Sequence, residues 1–211
     1  MAGHFVVMGD IVRSRDHRQE TLMDDFARLV AGCNRHFAAA LLSPCTITLG
    51  DEFQGVADSL LTAVRTALYL EEARLRGEVG FQLRHAVHFG EIATPLNPLT
   101  AHGMLGPGLT QARALLSDKR RGRSRFSISL PDAGLALRLG RLLDVMAALA
   151  RDWKARDAAL IFAMLDNERD TEVAAELGKT RSQIWKRRRS LLIDEYRALR
   201  ELLLDLAGRE S

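Results

Sequence analysis

Two cysteines in 211 residues, Cys33 and Cys45, are too few for a disulfide framework or a four-cysteine zinc site. Long apolar runs are missing too, since no stretch approaches the ~18 uninterrupted apolar residues of a membrane span. Met1–Met8 lacks the basic start of a secretory leader, so a cytoplasmic protein with no membrane partner is expected. A large charge excess is also absent. Thirty Lys and Arg face 27 Asp and Glu, and a net charge of +3 is by itself too small to imply nucleic acid. What remains is 47% hydrophobic and 27% charged residues, enough apolar material for a core and too much for disorder.

The apolar pattern predicts buried strands at His4–Ile11, Thr46–Leu49, Phe53–Val56, Phe81–Ile92 and Arg125–Leu130. Between them, helical spacing runs from Leu22 to Phe37, over Leu60–Leu75 and over Leu109–Leu116. Thr94–Gly108 carries three of the five prolines and reads as a loop. The order β-α-β-β-α-β-α-β predicts an α+β, ferredoxin-like (palm) layer. From Pro131 onward only helices are expected: Leu135–Ala150, Ala155–Leu165, Thr171–Leu177, Arg181–Leu192 and a tail to Ala207. The expected division is a palm over 1–131 and an all-α domain over 132–211.

Asp10 ends the first strand, and Asp51 sits at the tip of the expected hairpin. In a palm sheet these strands are neighbours, so the two carboxylates can converge on a hard divalent cation. The plainer alternative is ordinary Gly-Asp turn chemistry. Arg13 and Ser14 follow Asp10 in a polar loop and are candidates for phosphate contacts. His85 and His88 fall on opposite faces of a strand, which argues against a zinc pair.

MGDIVRSR, ITLGDEFQG, RHAVHFGEI and GPGLTQAR, in that order, resemble the SatD family. More distantly, they are similar to the catalytic palm of class III nucleotide cyclases and of GGDEF diguanylate cyclases. The resemblance covers Phe5 to Arg113. It implies Asp10 and Asp51 as metal ligands for Mg²⁺, Glu52 at the place of the GGDEF glutamate beside Gly50, and Arg113 as the cyclase arginine. Arg13, Ser14, Gly50, Glu52 and Arg113 then form the nucleotide set. The departures are Ile47 at the purine-reading lysine, Leu109 at the ribose-orienting asparagine, and Leu49 at the first glycine of GGDEF. They fit a sensory palm, or an enzyme with another substrate, better than cyclic-nucleotide synthesis.

Basic residues cluster in two places. Lys119–Arg125 holds five in seven residues and reads as a solvated face or as a contact to polyphosphate or nucleic acid. Residues 155–192 resemble the helix-turn-helix of bacterial regulators, with Gly178 at the turn and Thr180 as a cap. Residues 151–211 contain 13 basic and 12 acidic residues, but no acid falls between Lys179 and Arg189. Lys179, Thr180, Arg181, Ser182, Gln183, Lys186, Arg187, Arg188 and Arg189 are the expected contacts to double-stranded DNA, with Ser182 and Gln183 nearest base edges. Leu135–Leu149 and Leu191–Leu206 are candidate homodimer surfaces. The expected function is a DNA-binding transcriptional regulator whose palm senses a nucleotide and Mg²⁺. The alternatives are a nucleotidyl cyclase or nucleotidyltransferase acting on a nucleoside triphosphate, and a non-catalytic palm serving as a dimer scaffold.

Overall fold

A computed structural model of the protein describes residues 3–16, 18–117 and 124–209. Strand β1 (Gly3–Ile11) occupies the centre of a five-stranded sheet with β2 (Leu41–Ile47), β3 (Glu52–Ala57), β4 (Leu83–Glu91) and β5 (Phe126–Ser129). The order is β2-β3-β1-β4-β5, with β1 antiparallel to both neighbours and β5 parallel to β4. The first four strands, with α1 (Gln19–His36) and α2 (Leu60–Leu75), make the expected ferredoxin-like βαββαβ layer. Helix α3 (Pro107–Ser117) then crosses to the opposite face and leads to β5.

β1 carries a continuous apolar run, Phe5–Met8, because both of its faces are covered. Val7 and Ile11 join the core beneath α1 and α2, whereas Val6 and Met8 face α3 with Ala86, Leu109, Ala112 and Leu116. β2 begins at Leu41, five residues before the expected start. Pro44 argues against a strand in the sequence, but β2 lies at the sheet edge, where a missing N–H is tolerated, and its pairing with β3 shifts register on either side of Ser43. The hairpin turn is Thr48–Asp51, with Gly50 at φ +67°, and Glu52 is already in the ladder.

The helical segment comprises α4 (Ala133–Leu149), α5 (Ala158–Asp166), α6 (Asp170–Glu176), α7 (Arg181–Ser190) and α8 (Ile193–Gly208). Its buried side chains, Ile161, Met164, Val173, Ile184, Tyr196 and Leu203 among them, continue the apolar cluster that holds Phe26 and Leu68. The two leucine-rich stretches expected as dimer surfaces instead pack on each other, α4 against α8, and α8 also covers α2. They are amphipathic, and the nearest apolar partner is within the chain. No helix among the described residues is long and apolar enough to cross a membrane.

Candidate functional site

The edge where β1, the β2–β3 hairpin and α3 meet gathers most of the palm residues singled out in the sequence. The Ile11 amide donates to the Asp51 carbonyl at 3.0 Å, which draws the hairpin tip to the end of β1. Asp10 is directly opposite Glu52 on β3 and Arg84 on β4. Residues in such register share a face, here the face of Met8 and α3. Arg113 comes from α3, one position after the buried Ala112, and donates from Nε and Nη2 to Glu52 Oε1 at 3.0 and 2.5 Å. Thr48 Oγ1 lies 3.4 Å from the same oxygen.

Next to this edge lies a cleft of about 470 Å³. Met8, Met104 and Leu109 form its apolar floor, and Thr48, His102, Thr110 and Arg113 its polar margin. Gln54, from β3, also lines it and donates to the Ala101 carbonyl, tying the 101–106 loop over the sheet. Leu109, expected at a nucleotide-facing place, is part of the floor. Arg13 and Ser14 lie in the turn after β1 and are not among the residues lining the cleft. Arg13 is exposed and holds φ +55°, a conformation that costs a side-chain-bearing residue ~1–2 kcal/mol.

The expected Mg²⁺ site does not fit these residues. Asp10 is 5% exposed, and both its oxygens are taken by a planar fork from Arg84, Nε to Oδ1 at 2.7 Å and Nη2 to Oδ2 at 2.6 Å. Among the described residues, no group of three or more His, Cys, Asp or Glu is placed to hold a metal ion. Arg84 escaped the sequence reading because only the β1–β4 register reveals its pairing with Asp10.

A second charged cluster lies beneath the opposite face. Glu71 of α2 is buried and bonded to His85 at 3.1 Å and to Arg125 at 2.8 and 3.1 Å. Burial by itself would raise the Glu71 carboxyl, but the hydrogen bonds from His85 and Arg125 prevail and lower it to about 2. Arg125 thus serves the interior, while Lys119–Arg123 of the basic run lie outside the described residues. His85 and His88 face opposite sides of β4, as expected, and neither ring nitrogen of His88 has a partner among the described residues.

The candidate DNA-contacting residues divide into two groups. Gly178 at φ +61° turns the chain between α6 and α7, and Thr180 and Gln183 form a reciprocal capping box at the start of α7. Lys179, Arg181, Ser182, Lys186 and Arg189 are exposed, and the Arg189 guanidinium lies 5.4 Å from the centroid of Trp185, itself 49% exposed. Arg188 corrects the expectation. It is 5% exposed and donates inward to Asp170 at 2.7 Å and to the carbonyls of Met164 and Asn167 at 2.9 and 2.8 Å. The guanidinium closes the carboxyl end of α5 and is unavailable to a phosphate. Arg187 is partly committed to Asp157 at 2.9 Å.

Comparison with solved structures finds similarity to a bacterial light-regulated adenylyl cyclase at 16% identity and TM-score 0.46, over 60% of this chain and 43% of that one. The catalytic core of a rhodopsin-guanylyl cyclase with converted specificity is similar at 17% identity and TM-score 0.41, over 56% and 72% of the two chains. An adenylate cyclase from Trypanosoma brucei is similar at 17% identity and TM-score 0.40, over 53% and 66%. The chain therefore spans less than half the length of the first of these. No curated protein matches it. A model of the SatD family matches residues 4–203, nearly the whole sequence, and the chain belongs to the SatD family.

Proposed function

We propose that the palm binds a nucleotide as a ligand in the cleft beside α3. The observation that supports this is the cleft itself. Its volume of about 470 Å³ suits a nucleotide, with an apolar floor of Met8, Met104 and Leu109 for a base and Thr110 and Arg113 at the margin for phosphates. A thermal-shift screen with nucleoside mono-, di- and triphosphates tests the reading. A ligand that raises Tm of the wild type is expected to leave Thr110→Trp, which fills the cleft from its rim, unshifted. If no nucleotide shifts the wild type, the reading fails and the palm is a scaffold. Turnover is the competing reading, and a cyclic or pyrophosphate product from any of the four nucleoside triphosphates with Mg²⁺ would establish it.

The outward face of α7 supports a second activity, contact with duplex DNA through the exposed Lys179, Arg181, Lys186 and Arg189. No acid interrupts that face, and Trp185 offers an aromatic surface within it. This makes the protein a nucleotide-responsive regulator, acting as a homodimer because one such helix pair binds weakly. Affinity for duplex DNA is expected to fall steeply with salt, and removing Lys186 and Arg189 together is expected to reduce the magnitude of the log–log slope by about 2. DNA affinity unchanged in that double variant would sink the reading. Sedimentation of the free and DNA-bound protein gives the stoichiometry.

A further inference from the structure

Two carboxylates face each other across β1 and β3, Asp10 and Glu52. Like charges in directly opposed positions repel, and such a pair needs cations to hold it together. A divalent metal is one solution. This chain contains another, in its own side chains. Arg84 stands opposite Asp10 on the far side of β1 and grips both carboxylate oxygens at 2.7 and 2.6 Å. Arg113 covers Glu52 from α3 at 3.0 and 2.5 Å. The Asp10–Arg84 pair is largely buried and bidentate, a geometry strong enough to resist displacement by a hydrated ion. A cation at Asp10 would also have to sit against the fixed positive charge of a guanidinium that cannot lose its proton.

We infer that Arg84 is the resident cation of the palm, occupying the position of a metal and excluding divalent ions from Asp10. Arg84 therefore sets the ion requirement of the site, and a nucleotide enters the cleft without a metal bridging it to Asp10. The statement about the nucleotide rests on the proposed function; the statement about the metal does not.

Mn²⁺, followed by electron paramagnetic resonance and by thermal shift, separates the two. Wild type and Arg84→Lys, which keeps the charge, are expected to show no saturable Mn²⁺ site. Arg84→Met is expected to gain one, with a Tm rise on adding Mn²⁺, and Asp10→Asn in the same background to lose it. Should Arg84→Met fail to fold alone, its refolding yield with and without Mn²⁺ becomes the readout, and rescue by the metal supports the inference. Stoichiometric Mn²⁺ binding by the wild type that disappears in Asp10→Asn would overturn it, as would an Arg84→Met variant that neither binds Mn²⁺ nor is rescued by it. A nucleotide-induced shift of the wild type is expected to be the same in EDTA as in Mg²⁺. Absence of any nucleotide shift would remove the proposed function and leave the metal result standing.

Discussion

Arg188 and Arg189 are neighbours in the sequence with opposite duties. Arg188 turns inward to Asp170 and two main-chain carbonyls, while Arg189 lies on the surface beside Trp185. Arg188→Met leaves the Asp170 carboxylate without its buried partner, and a loss of about 3–5 kcal/mol is expected in urea unfolding. Arg189→Ala is expected to stay within about 0.5 kcal/mol of the wild type, and its effect on DNA affinity tests the proposed contact. The pair distinguishes a fold defect from a lost phosphate contact. Glu71 gives a pH signature at the same scale. Its folded value of about 2 lies below the ordinary 4.5, so its contribution is complete above pH 4.5 and is lost as pH falls toward 2. The difference corresponds to about 3 kcal/mol as an order of magnitude. Stability measured between pH 5.5 and pH 3 is expected to fall less steeply in Glu71→Gln than in the wild type.

At the scale of elements, the α6–α7 turn depends on local backbone chemistry. Thr180 accepts from the Gln183 amide, and the Gln183 side chain accepts from the Thr180 amide. Thr180→Ala is expected to cost about 1 kcal/mol by thermal denaturation. Gly178→Ala forces a side chain into the left-handed region at φ +61° and is expected to cost about 1–2 kcal/mol. Neither change removes an outward cation. These signals are short-range, which is why Gly178 and Thr180 were legible in the sequence. The palm edge was legible only in part. The nearness of Asp10 and Asp51 followed from strand order, and Glu52 and Arg113 were implied by the family resemblance, but the charge balance there depends on Arg84, 74 residues from Asp10 along the chain.

For the whole molecule, the helical segment and the palm share apolar contacts. Leu68 and Leu75 of α2, Phe126 of β5, Met146 of α4 and Tyr196 of α8 surround one small gap between the layers. Arg200 of α8 also reaches Glu72 of α2 at 3.5 Å. A fragment ending at Pro131, where the composition changes, leaves the α2 face uncovered and is expected to bind a hydrophobic dye and aggregate. The full chain is expected to unfold in one calorimetric transition; two separated transitions would show that the halves are independent.

Local sequence by itself determined the succession of strands and helices and the alternation of buried faces, through periodicity, and the cap of α7, through Gly178 and Thr180, because each depends on residues within a few positions of one another. The register between distant strands belongs to the tertiary structure. It placed Arg84 against Asp10, turning an expected metal ligand into half of an internal ion pair. It also folded Arg188 against α5, where a cation in a basic run serves the protein's own carbonyls rather than a phosphate. A charge is visible in sequence, but its partner is chosen by packing.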